Sequence, residues 1–169
     1  MPQISQVEFS VMLAESRTAF RLEHQRDPLP GEQEAFQHWR NGNRMVPWEW
    51  PEWRSWLDLT WRHTSAGGEI QRVRLVDDPP TRYQQWGISI TSWHEQAGDR
   101  ISYLPCHAAE RLGIPITNWW LFDDAHVVAM SYESGGVPGK ILISDPKVIA
   151  KHRTWRDLAV AHATEPVPT

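Results

Sequence analysis

Glu69–Trp86, EIQRVRLVDDPPTRYQQW, holds two periodicities side by side, and the junction between them points to a fold class. In its first half Val73 and Leu75 alternate with Arg72, Arg74 and Val76, the two-residue period of a strand with a largely polar outer face. Asp77-Asp78-Pro79-Pro80 then stops the strand, since proline has no ladder donor and aspartate bonds its own backbone in turns. Thr81 and Gln84 can cap a following helix, in which Tyr83, Trp86, Ile90 and Trp93 share one stripe until Gly98-Asp99. The β-branched residues of GISITSW, 87–93, leave a strand open for the second part of that stretch.

Working toward the N-terminus, Ser5 and Glu8 make an S-x-x-E box, and Phe9, Met12 and Leu13 follow at helical spacing to a stop near Ser16. From Thr18 to Arg26, Phe20, Leu22 and His24 alternate with Arg21, Glu23 and Gln25, which predicts a half-buried strand ended by DPLPG. A helix over Glu32–Arg40 presents Phe36 and Trp39 and ends at Asn41-Gly42. Two prolines in MVPWEWPEW, 45–53, forbid a continuous helix there, so a packed loop is expected. Pro51 suits a first helical turn, and Trp53, Trp56, Leu57 and Trp61 then recur toward Gly67-Gly68, predicting a helix whose indoles wall the core.

Toward the C-terminus, strands are predicted at Ile101–Leu104, Trp119–Asp123, His126–Tyr132 and Lys140–Ser144, with a short helix at Cys106–Leu112. Asp123-Asp124-Ala125 and SGGVPG read as hairpin connections, making an antiparallel meander. Asp145 caps the last helix, Pro146 takes its first position, and Ile149, His152, Trp155 and Ala159 share a face. The sum is one α+β domain, residues 1–163, with a mostly antiparallel sheet of about five or six strands and about four or five helices. A flexible tail at 164–169 follows.

Composition sets outer limits. A chain of 169 residues is long enough to bury roughly 68–70% of its unfolded surface around one core. No apolar run approaches the ~20 residues of a membrane span, and MPQISQVEF lacks the charged and apolar regions of a secretory leader, so a cytoplasmic location without membrane contact is expected. Cys106 is the only cysteine, which excludes an internal disulfide and a paired-cysteine zinc site. Seventeen basic against 21 acidic side chains, net −4, lack the cationic excess of a non-specific nucleic-acid binder, so no direct nucleic-acid contact is expected. The eight histidines form no HExxH and no pair three or four apart on one helix, so neither a metal nor a cofactor is expected.

The segments RVRLVDDPPTRYQQW, RISYLP, NWWLFDDAHVVAMSY and ISDPKVIAKHRTWRDLA, in that order, resemble a domain-of-unknown-function family of actinobacteria. Its members are often encoded beside helix-turn-helix regulators of the WhiJ type. The resemblance runs from the AFRLE strand at Ala19 onward and implies a regulatory neighbourhood, but carries no catalytic residues with it.

Among the candidate contacts, Arg72 and Arg74 lie two apart on a strand and project about 7 Å apart from one face, as an anion clamp would. The helix start at Thr81-Arg82, with Tyr83 behind it, adds unpaired amides. The competing explanation is a set of ion pairs on an exposed sheet face. Asp77-Asp78 and Asp123-Asp124 serve as turn formers, or as a metal pair only if the two turns meet in space. Cys106-His107 fits a small packed cysteine better than a nucleophile beside its base. Trp48, Trp50 and Trp53, between Pro47 and Pro51, make either an exposed aromatic ledge or local packing. Convergence of Arg72, Arg74, Asp77, Trp119 and Asp123 on one hollow would separate a site from a decorated surface. The leading expectation is a non-enzymatic accessory protein that contacts a helix-turn-helix regulator, with a homodimer also open. The alternative is an enzyme or sensor holding a small anion such as a nucleotide through Arg72, Arg74 and Arg82.

Overall fold

A computed structural model describes residues 1–132 and 138–165. Six strands form one sheet: β1 (Thr18–His24), β2 (Glu69–Val76), β3 (Asp99–Pro105), β4 (Trp119–Phe122), β5 (His126–Ser131) and β6 (Gly139–Ile143). Their order across the sheet is β3-β2-β1-β4-β5-β6. The half made of β1, β4, β5 and β6 is antiparallel, as the hairpin residues predict. The other half is not: β1 pairs parallel with β2, and β2 parallel with β3. The sheet is therefore mixed rather than mostly antiparallel. Each parallel pair is joined by helices, as a parallel connection requires.

Among the described residues seven α-helices accompany the sheet, more than the four or five expected: α1 (Gln6–Glu15), α2 (Gln33–Arg40), α3 (Pro51–Ser65), α4 (Arg82–Ser89), α5 (Thr91–Gln96), α6 (Cys106–Arg111) and α7 (Pro146–His162). One of the additional helices arises because the single helix expected after Thr81 breaks at Ile90 into α4 and α5. The reciprocal capping boxes Ser5/Glu8 and Thr81/Gln84 both form, and the Asp145 side chain caps α7 ahead of Pro146. Short 3-10 turns occupy Pro30–Glu32 and Pro47–Glu49, the second inside the proline-rich segment.

Both faces of the sheet are covered. On one, Phe20, Leu22, Val73, Leu75, Leu104, Trp119, Leu121 and Val127 pack against Ala109 of α6 and Ile149 and Ala159 of α7. On the other, Ala19, Ile70, Trp120, Phe122 and Val128 meet Phe9 and Leu13 of α1. A third cluster, formed by Phe36 of α2, Trp53 of α3 and Trp86 of α4 with Ile90 and Met45, extends that second layer. Coverage of the second face corrects the polar outer face expected for β2, because Arg72 is buried at 3% exposure. The indole wall of α3 needs a similar correction: Trp53 is buried, whereas Trp61 is exposed.

In the turn Phe122–Ala125, Asp123 and Asp124 have φ of 51° and 54°, the two successive left-handed residues that suit a tight hairpin. Thr164 exchanges backbone hydrogen bonds with Tyr103 of β3, although the tail was expected to begin there. Pro166–Thr169, and residues 134–137 of the SGGVPG segment, lie outside the described residues.

Candidate functional site

The second layer does not close flush on β1, β2 and β3. A cavity of about 570 Å³ remains between the strands and the helices α3, α4 and α5. Strand alternation supplies its floor. Arg21 and Glu23 face it from β1, Arg72 and Arg74 from β2, and Tyr103 from β3. Register puts Arg21 beside Arg72, and Glu23 beside Arg74, which neighbours Tyr103 in turn. Trp53 and Trp56 of α3 with Tyr83 and Trp86 of α4 form the walls, and His94 of α5 and Glu32 complete the lining.

Three guanidinium groups share one carboxylate. Glu23 lies 3.3 Å from Arg21, 3.3 Å from Arg72 and 3.6 Å from Arg74. Arg72 also pairs with Asp99, whose side chain is fully buried. Burial pushes the Glu23 carboxyl up, but Arg21, Arg74 and Arg72 outweigh it and hold it well below the usual carboxylate range. Burial also opposes the charge on Arg74, and the Tyr103 hydroxyl and Glu23 outweigh that, so it titrates above its ordinary value. Three cations against Glu23 and Asp99 leave the floor itself net positive, and Glu32 and Glu52, which also line the cavity, offset that charge.

The walls respond to that charge. Burial, then Arg72 and Arg74, lowers the His94 imidazole well below its ordinary pKa, so the ring is neutral at pH 7. Burial raises the Glu32 carboxyl against hydrogen bonds donated by the Leu29 amide and the Tyr83 hydroxyl, the latter 2.9 Å long. Arg72 sits over the Trp56 ring at 5.5 Å, and Trp53 meets Trp86 edge-on at 5.2 Å. Polar atoms are left over: Nε of Arg21, Arg72 and Arg74, both ring nitrogens of His94, and the indole nitrogens of Trp56 and Trp86 are buried without a hydrogen-bond partner among the described residues. Most of these atoms are N–H donors, and they lie along the lining of one cavity.

Arg72, Arg74 and Tyr83 are thus brought together, but not as an exposed clamp. The arginines are inside, matched with acids from β1 and β3, so the contact surface expected of them is absent. Arg82 lies outside the cavity, bonded to Gln85 and stacked 4.8 Å over Trp39. Trp119 is on the opposite face of the sheet, buried between Phe20 and His152. Asp123 accepts from the Arg17 and Thr18 amides at the start of β1, whereas Asp77 lies past the end of β2, so the two turns sit at opposite sheet edges. Asp124 is held by Arg156. The ledge is packed in part: Trp50 meets the His38 ring at 5.6 Å, whereas Trp48 is exposed, its backbone carbonyl accepting from the Arg54 guanidinium.

Sequence reasoning missed Glu23, Arg21, Glu32 and His94. A signal existed for the first two, because β1 places Arg21 and Glu23 on one face as β2 places Arg72 and Arg74. Glu32 and His94 carry no local signal; only packing turns them inward.

Fold and site together describe an α+β fold with one mixed sheet and an aromatic-walled cavity whose floor carries three arginines. The chain belongs to the family of the domain of unknown function DUF6879, whose model matches residues 8–167. No curated protein matches. Among solved structures, TrmBL2, an archaeal chromatin protein described as showing a novel mode of DNA binding, is similar at 9% identity and a TM-score of 0.48. The match covers 95% of this chain and 50% of that one, so the chain spans half the length of that protein. No helix of the described residues is long and apolar enough to cross a membrane.

Proposed function

We propose that this domain is a sensor that binds a small anion with a planar aromatic body in the cavity beneath α3, α4 and α5. The observation that carries the reading is the set of three buried guanidinium groups whose Nε atoms have no hydrogen-bond partner among the described residues, on the floor of a cavity of about 570 Å³. Small-molecule sites typically measure about 300–1,000 Å³ and combine apolar walls with a few convergent polar groups. Here the ligand's anionic group would meet the Arg21, Arg72 and Arg74 floor, and its planar body would lie among Trp53, Trp56 and Trp86. Aromatic carboxylates and nucleoside monophosphates share that chemistry. The ligand-bound domain would act as an accessory to a helix-turn-helix regulator of the kind found beside the actinobacterial proteins it resembles. With the arginines buried, that partner would be met by another surface.

Thermal-shift titration with aromatic carboxylates and with nucleoside monophosphates tests the reading. Stabilisation by at least one class, abolished in Arg74→Gln, is expected. Quenching of tryptophan emission should accompany it, because three indoles line the cavity. If no planar anion of either class stabilises the protein at millimolar concentration, the proposal fails.

A further inference from the structure

Leu22, Leu75 and Leu104 belong to the apolar cluster on the α6–α7 face of β1, β2 and β3. Two residues on along each strand direction stand His24, Asp77 and Cys106, the next positions of the same parity. Because the three strands are parallel, their C-terminal ends share one edge, and the three side chains meet there. His24 Nε2 is 3.1 Å from Asp77 Oδ1, and Cys106 Sγ is 3.9 Å from the same oxygen. One ligand atom from each residue falls within 4.8 Å of the others. The cavity described above does not include them.

We propose that His24, Asp77 and Cys106 form a divalent transition-metal site suited to zinc. The donor set is one imidazole nitrogen, one carboxylate oxygen and one thiol sulfur, which suits borderline-soft zinc and not the oxygen-only preference of calcium or magnesium. Zinc bonds of about 2.0 Å to nitrogen and oxygen and about 2.3 Å to sulfur, at tetrahedral angles, place such atoms about 3.3–3.5 Å apart. Side-chain adjustments of about 1 Å therefore close the set with the backbone in place. Metal binding displaces the thiol proton to solvent, and the thiolate and carboxylate together neutralise the ion.

The surroundings hold the ligands in position. The Asn118 side chain bonds both the N–H and the C=O of His24, fixing the end of β1. Arg26 donates to the second oxygen of Asp77 at 2.7 Å, and Gln84 donates to the first at 3.3 Å. Ligating carboxylates are ordinarily oriented by such outer partners. Gln84 also accepts from the Asp77 amide, caps α4 and lines the cavity, so a bound ion would pin the start of α4. Three protein ligands leave one coordination position open to water or to an exogenous group.

Cobalt(II) titration of the full chain, in a non-thiol reductant, tests the site directly. A near-ultraviolet thiolate-to-cobalt band should saturate at one equivalent and be displaced by zinc. It should vanish in Cys106→Ser. His24→Ala and Asp77→Asn should each weaken cobalt at least ~100-fold, beyond the 10–100-fold usual for outer-shell changes. His107→Ala, which removes contacts to Asp78 and Arg111 and none to the three ligands, should leave it unchanged. Absence of the band, or its persistence at full affinity in His24→Ala or Asp77→Asn, overturns the proposal. If a ligand variant does not fold, alkylation of Cys106 by iodoacetamide in the unaltered protein decides. Zinc should slow it at least tenfold, and an unchanged rate overturns the site. None of these readouts depends on the cavity ligand.

Discussion

Glu23→Gln removes the one carboxylate that three guanidinium groups share while keeping its volume and one hydrogen-bonding oxygen. The lost contacts are 3.3 Å to Arg21, 3.3 Å to Arg72 and 3.6 Å to Arg74. At an effective dielectric near 20, each close ion pair is worth about 4 kcal/mol of gross attraction, and the desolvation of each ion offsets several kcal/mol of it. Leaving partners uncompensated in a buried site costs about 3–5 kcal/mol net. Asp99 stays bound to Arg72, while Arg21 and Arg74 lose the ion pair that each makes with Glu23 and repel one another. A loss of about 3–5 kcal/mol in urea unfolding followed by tryptophan emission is expected, with a Tm lower by about 6–20 °C for a domain of this size. The variant also adds one positive charge to the cavity floor. An aromatic carboxylate should therefore stabilise Glu23→Gln more than it stabilises the unaltered protein. A loss under about 1 kcal/mol would show that the arginines have other compensation and would refute the reasoning about the floor.

The raised pKa of Glu32 sets the sign of a second effect: as pH falls from 7.5 through the Glu32 pKa, its negative charge is lost and affinity for an anionic probe should rise. Glu32→Gln should bind as tightly at pH 7.5 as at the acid end, and a rise retained in that variant would exclude Glu32 as its source. His94 works on stability. Its folded-state pKa is depressed, so its contribution is complete above the unfolded value near 6.5 and declines as pH falls below it, by up to about 1.4 kcal/mol per pH unit. Unfolding at pH 5.0 and 6.5 should show that His94→Gln has the shallower dependence; equal slopes would place a charged imidazole in the fold. Asp123→Ala loses hydrogen bonds to the Arg17 and Thr18 amides at a positive-φ position. About 2 kcal/mol of destabilisation with unchanged anion affinity is expected, and weakened binding would contradict the separation of this turn from the cavity.

Local chemistry decided much of this protein in the sequence itself. The Ser5/Glu8 and Thr81/Gln84 boxes, the Asp145-Pro146 start of α7 and the two-residue alternation in β1 and β2 are satisfied by neighbours along the chain, so each is visible without a fold. The Asp123-Asp124 hairpin is local in the same way. What tertiary structure decided is which strands lie side by side and what covers them. A mostly antiparallel sheet is what the sequence suggests, and the parallel adjacency of β3, β2 and β1 depends on contacts between distant segments. The fate of Arg72 shows the reason. It looks like a surface residue because burying a lone cation is prohibitive, and it becomes an interior one only because Glu23, 49 residues away, and Asp99, 27 residues away, arrive with opposite charge. Alternation along β2 sets which face a side chain takes, and only the packed helices determine whether that face meets water.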